Sequence, residues 1–157
     1  MDGVRMRSSL ADRIIQIICL VLMAGVTIYL IAGWTSFPDQ IPMHYGGSGE
    51  IDRWGGKGEI ILLILLWWGM YLVLSAIERF PQVWNTGVKV TPQNQERVYR
   101  TLKYMLVTLK LLMTTFFSIL IIYITLCRPL GGWYTPAFVA AVFGDMFFWI
   151  IRLVRVR

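Results

Sequence analysis

Between residues 34 and 59 the chain gathers most of the side chains that could do chemistry: Asp39, its single histidine His44, Glu50, Asp52 and Lys57. Imidazole and carboxylate groups are ligands for zinc and other divalent metals, but a catalytic zinc site takes about three protein ligands plus an open position. One histidine with Asp39, Glu50 and Asp52 is a weak donor set, so neither a metal nor a cofactor is expected. His44 as a base, oriented by Asp52 or Asp39, would make a hydrolytic site, yet no nucleophile stands at a recognisable spacing. The local reading is simpler. Asp39 caps a turn after Pro38, His44 hydrogen-bonds within the segment, and Lys57 pairs with Asp52 or Glu59.

The backbone that carries these groups is rich in glycine and proline. Pro38 and Pro42 stiffen its start, and Gly46-Gly47-Ser48-Gly49 separates Met43–Tyr45 from Glu50–Asp52. That pattern predicts a small hairpin with a four-residue turn. In this register Asp52 pairs with Met43 and points away from His44. Trp34, Phe37, Tyr45 and Trp54 are suited to seat the segment at the level of lipid headgroups.

The elements that hold this segment are apolar. The 157 residues are 57% hydrophobic and 15% charged, which leaves too few polar groups to coat a water-soluble globule. A spanning helix needs about 20 mostly apolar residues, and four such runs occur: 14–33, 60–77, 104–127 and 133–154. Between them lie the 34–59 segment, a 78–103 connection and the short turn Arg128-Pro129-Leu130-Gly131-Gly132. The fold class expected is an all-α membrane protein, one bundle of four transmembrane helices with a Gly/Pro-rich extracytoplasmic loop.

Net charge is +6, but the basic residues flank the apolar runs and form no single stripe, which argues against nucleic acid. Arg5, Arg7, Arg13, Arg79, Lys89, Arg97, Arg100, Lys103, Arg152, Arg155 and Arg157 fall on one side of the expected membrane; Arg53, Lys57 and Arg128 fall on the other. The lysine and arginine bias places both termini in the cytoplasm. The first run is too long for a signal-peptide core, and Trp34 stands where cleavage favours a small residue, so it reads as a retained helix. Cys19 and Cys127 fall in opposite leaflets, beyond the reach of a disulfide.

Thr91-Pro92 predicts a helix start near residue 92, with Arg97, Arg100 and Lys103 at the headgroups. In the fourth run Ala137 and Ala141, and Ala140 and Gly144, are spaced for close helix approach, with Asp145 on the same face as Ala141. Lys110 lies seven residues inward from Lys103, and Asp145 seven inward from Arg152, so both sit about 10 Å from the same boundary. Matching depth predicts a Lys110–Asp145 pair, with Thr114 and Ser118 continuing a polar stripe. The alternative is that Lys110 snorkels to the headgroups while Asp145 meets Arg152 or water.

The pattern Pro38-Asp39-x-Ile41-Pro42-x-His44, then Gly49, Asp52, Trp54 and Lys57, directly before a spanning run, resembles the domain of unknown function that opens SdpI-type bacterial membrane proteins. The likeness covers residues 14 to about 80; the SdpI type has further spanning segments. It implies a plasma-membrane protein of the immunity or sensing kind, linked to resistance against a secreted toxic peptide and to capture of a repressor at the membrane. A peptide, lipid or partner membrane protein would then meet the loop through Pro38, Asp39, Pro42, His44, Gly49, Asp52, Trp54 and Lys57. Two other readings stay open: an accessory subunit of a transporter, in an oligomer, and a membrane-embedded enzyme built around His44.

Overall fold

The computed structural model describes residues 8–157 and contains four long helices and one hairpin. The first helix, α1, runs Leu10–Gly33. It starts at a reciprocal cap: Ser9 Oγ accepts from the Asp12 amide and Asp12 Oδ2 accepts from the Ser9 amide, which satisfies two backbone donors that a helix start leaves free. Strands β1 (Gln40–Tyr45) and β2 (Ile51–Gly56) follow, then a 3₁₀ turn at Lys57–Glu59 that leads into α2, Ile60–Arg79. Pro81, with no amide hydrogen, ends α2, and the Ile77 carbonyl accepts from both the Phe80 amide at 3.1 Å and Trp84 Nε1 at 2.7 Å.

Helix α3, Gln95–Thr125, and helix α4, Tyr134–Arg155, complete the chain. The start of α3 is three residues later than Thr91-Pro92 predicts. Asn94 explains this: its Oδ1 accepts from the Thr91 amide and its Nδ2 donates to the Lys89 carbonyl, which holds 92–94 as a turn. All four helices are long and apolar enough to cross a membrane. At 31 residues α3 is about 46 Å long and overshoots a hydrocarbon core of about 30 Å.

α3 is the centre of the bundle. α1 and α2 pack on α3 more than on each other, and α4 packs chiefly on α3. Its inner face is half polar, with Lys103, Lys110, Thr114 and Ser118 buried alongside Val98, Val107 and Ile121. Outward, the helices present Ile17, Leu62, Leu65, Val73, Phe143 and Phe147. So much exposed apolar surface is stable only against lipid, because a water-soluble monomer keeps such patches small. The protein is a four-helix membrane bundle, and Arg5 and Arg7 of the charge count lie outside the described residues.

The hairpin forms where the glycines predict it, in another register. Its loop has five residues, closed by the Gly46 amide on the Glu50 carbonyl and the Gly49 amide on the Gly46 carbonyl, both at 2.9 Å. Pairing runs Tyr45 with Ile51, His44 with Arg53 and Pro42 with Trp54, so Met43 and Asp52 are each left unpaired as opposed bulges. Ile41, 1% exposed, plugs the top of the core beside Leu30 and Ile60.

The loop docks on the α3–α4 turn through the Leu130 amide, which donates to the Gly49 carbonyl at 2.8 Å. Gly49 adopts φ +87°, and a side chain there would overlap the Leu130 carbonyl. We expect Gly49→Val to cost about 2–3 kcal/mol and to expose the Leu130 amide to hydrogen exchange. Gly47→Ala, with open space at that position, should leave exchange at Leu130 unchanged.

Candidate functional site

Two groups of polar side chains stand at opposite ends of the bundle. At the hairpin end the bulge at Asp52 turns that side chain toward its neighbour across the strands, and Asp52 Oδ1 lies 2.6 Å from His44 Nδ1. This corrects the expectation that Asp52 points away from His44; the five-residue loop and the paired bulges, absent from a four-residue turn, account for it. A carboxylate oxygen only accepts, so Nδ1 carries the hydrogen, and Nε2 stands on a side chain 64% exposed.

Lys57 pairs with Asp39 at 2.9 Å and not with Asp52 or Glu59 as expected. Those two carboxylates are engaged elsewhere: Asp52 by His44, and Glu59 by Arg53 at 3.3 Å and the Gly56 amide at 3.0 Å. The Lys57 amide donates to the Asp39 carbonyl, so side chain and backbone clamp the same two residues. Its Nζ also lies 5.9 Å over the Trp34 ring. Trp54, half exposed, faces outward from the hairpin, while Pro42 is buried beneath it. Glu50 is bonded by Ser48, which holds its carboxyl below the usual range. That contribution to the loop is present at neutral pH and fades as pH falls through the lowered value. Burial pushes the Tyr45 hydroxyl up to about 12, and it donates to the Arg128 carbonyl at 3.2 Å.

The four candidate metal donors are therefore distributed among different partners: Asp39 to Lys57, Glu50 to Ser48, and only His44 and Asp52 to each other. No group of three or more metal-ligating side chains forms among the described residues.

Beneath the hairpin a groove of about 420 Å³ lies between α1 and α2. Leu30, Ile31 and Trp34 form one wall, Ile60, Ile61, Ile64 and Leu65 the other. Its one polar edge is Thr27, whose hydroxyl accepts from Trp68 Nε1 at 3.2 Å. Trp67 turns the other way into the core, 1% exposed and stacked on Phe117 at 6.4 Å.

At the far end lies a buried ladder of alternating charge. Asp12 Oδ2 meets Lys103 Nζ at 2.9 Å, Lys103 meets Glu78 at 3.8 Å, and Glu78 meets Lys110 Nζ at 2.5 Å. Gln16 donates to Glu78 at 3.0 Å, and Lys110 donates to Ser75 at 3.3 Å. Lys110 is 1% exposed and its Nζ sits 5.2 Å over the Tyr71 ring. Two acids and two lysines sum to zero, the condition under which hydrocarbon tolerates them.

The predicted Lys110–Asp145 pair does not form. Asp145 accepts from Trp149 Nε1 at 3.1 Å, and the same indole nitrogen lies 2.9 Å from Thr108. Thr108 and Lys110 are two residues apart, on nearly opposite sides of α3. Lys110 faces α1 and α2, while Asp145 faces the other flank. Asp12, Gln16, Glu78 and Lys103 were missed as a group, because ending the apolar runs at the nearest charge left Asp12 and Glu78 outside their helices. The readable signal was the spacing of Lys103 and Lys110, seven apart on one face.

Comparison with known proteins adds one match. No curated protein and no solved structure matches the chain. Residues 20–75, from within α1 through the hairpin and most of α2, match the model of a domain of unknown function, DUF1648.

Proposed function

We propose that this is a membrane recognition protein of the SdpI-like kind, which seats an amphipathic, membrane-active peptide in the α1–α2 groove with its polar end against the hairpin, for immunity or sensing. The groove carries this reading. Its walls are aliphatic and aromatic over the length from Thr27 to Trp34, about 10 Å along α1, with a single hydroxyl at the edge, a lining suited to a row of apolar side chains on a peptide. Trp34 and Lys57 at its mouth offer an aromatic face and a cation, and His44 Nε2 and Trp54 stand exposed above. The lysine and arginine bias supports an outward hairpin and cytoplasmic termini in a bacterial plasma membrane: Arg79, Lys103 and Arg152 lie toward the ladder end, Arg53, Lys57 and Arg128 toward the hairpin end.

A second reading, a subunit of a larger membrane complex such as a transporter, draws on α4. That helix leaves Ala140 and Gly144 exposed, with open space beside Gly144, and small residues at this spacing suit another helix. Crosslinking in native membranes separates the two readings, since a stable partner on α4 would favour the subunit.

The test of the leading reading is survival of cells challenged with a panel of amphipathic helical peptides. Wild-type protein should raise the tolerated concentration of at least one, and Ile61→Trp, which fills the groove, should remove about tenfold of that protection, equivalent to about 1.4 kcal/mol of binding. His44→Ala and Asp52→Ala should each weaken it. Equal survival in every strain, including one without the protein, contradicts the reading. A photoreactive group at residue 61 that captures phospholipid and never the peptide does so too.

A further inference from the structure

We infer that Lys57 is the specificity-determining residue of the groove: its ammonium takes the carboxylate end of the occupant, in the place that the Asp39 carboxylate holds. The inference rests on the groove being the recognition site and names the chemical group that this site selects.

Periodicity puts Lys57 on the groove. On α1 the lining residues Thr27, Leu30, Ile31 and Trp34 recur at i, i+3, i+4 and i+7, one face of the helix. On α2 the lining is Ile60, Ile61, Ile64 and Leu65. Lys57, in the 3₁₀ turn that runs straight into α2, stands three and four residues before the first two of these, so it lies one turn above the α2 wall on the same side. The two walls meet there, where Lys57 Nζ lies 5.9 Å over the Trp34 ring. Every lining residue is uncharged. A row of apolar side chains rising along the groove therefore ends at a cation.

That ammonium is held by groups other than its carboxylate partner. Nζ donates to the Phe37 carbonyl at 3.5 Å, and the side chain is only 25% exposed. The turn beneath it is fixed separately, by the Lys57 amide on the Asp39 carbonyl at 2.9 Å. The Asp39 carboxylate, by contrast, is 92% exposed and meets Lys57 through Oδ1 alone. An ion pair with one hydrated member adds little net stability, so exchanging Asp39 for another carboxylate is close to neutral. The apolar part of the same occupant, once seated, tips the exchange by holding its carboxylate beside Lys57 at high effective concentration. A carboxamide offers a neutral oxygen, a weaker acceptor for an ammonium, and leaves Asp39 in place. Asp39 is then a built-in competitor that sets how acidic an end the site demands.

One amphipathic leucine/lysine helical peptide tests this, made with a free C-terminal carboxylate and again as the C-terminal carboxamide. The full chain is held in phosphatidylcholine nanodiscs, where no anionic headgroup competes. The readout is the peptide concentration that half-saturates photocapture by a photoreactive group at residue 61. The acid form should half-saturate at about fivefold lower concentration than the amide, the scale of one exposed charge contact. Asp39→Asn should tighten the acid form by a further factor of about three and leave the amide unmoved. Lys57→Gln should bring the two forms together, and Lys57→Arg should keep them apart. Arg128→Gln removes the same charge from an exposed position on the α3–α4 turn and should preserve the difference.

Equal capture of acid and amide by the wild-type sequence overturns the inference and leaves the recognition reading standing. A preference that survives Lys57→Gln, or one that vanishes in Arg128→Gln, does the same. Should Lys57→Gln unseat the hairpin, seen as faster exchange at the Leu130 amide, Asp39→Asn decides, because the Asp39 backbone keeps its bond to Lys57; an acid form bound no more tightly than before overturns the inference. Capture of neither form overturns the recognition reading and this inference with it.

Discussion

The Glu78 carboxylate is the constraint on which the bundle turns. It belongs to α2, yet its partners, Lys103, Lys110 and Gln16, come from α3 and α1. An unpaired charge at this depth would cost several kcal/mol, so the three helices have little freedom to slide or rotate relative to one another. Lipid gives no hydrophobic drive for helix association. In its absence a neutral, hydrogen-bonded ladder supplies a register that apolar side chains alone do not specify. α4 is outside this network and is held by aromatic contacts instead: Tyr104 on Trp149 at 5.7 Å, Phe116 on Phe138 at 5.0 Å, and the Tyr134 hydroxyl on the Phe116 carbonyl at 2.7 Å.

The hairpin solves the complementary problem at the other end. A loop that caps a membrane bundle must satisfy its own polar backbone while covering apolar helix ends. β1 and β2 pair with each other, the Leu130 amide closes onto Gly49, and Ile41 fills the top of the core. Two of its charge pairs are ionic, Asp39 with Lys57 and Glu59 with Arg53, and Asp52 accepts a hydrogen bond from His44. These pairs are largely exposed and individually worth little, so the cap's rigidity comes from backbone pairing and packing. What it presents outward is aromatic and polar surface above a groove walled by Leu, Ile and Trp, the combination that suits an amphipathic molecule arriving from the membrane.

Much of this was legible in the residues. Apolar runs of about 20 residues have one stable solution in lipid, so the four helices followed from composition and length. The glycine cluster between short strand-like segments foretold the hairpin. Its register did not follow: the loop has five residues and two opposed bulges, and its docking partner, Leu130, is 81 residues away in the chain and invisible locally. The ladder was hidden for a different reason. Helical depth can be counted from a boundary, but the azimuth of Lys110 around α3 depends on which helices flank it. Lys110 meets Glu78 and not Asp145 because α2 packs on the flank of α3 that carries Lys110 and α4 on the flank that carries Thr108. The His44–Asp52 contact, expected to be absent, arose from the same bulge that shifted the register.

Glu78 and Lys110 act as one buried unit joining α2 to α3. A double-mutant cycle on thermal or denaturant unfolding in a fixed detergent tests it, with Glu78→Met, Lys110→Met and both together. Each single change should destabilise by about 3–5 kcal/mol, and the double by much less than their sum, since the pair is removed without leaving a lone charge. Lys110→Met combined with Asp145→Asn should be additive within about 0.5 kcal/mol. Additive losses for Glu78 and Lys110, or strong coupling between Lys110 and Asp145, would contradict the account.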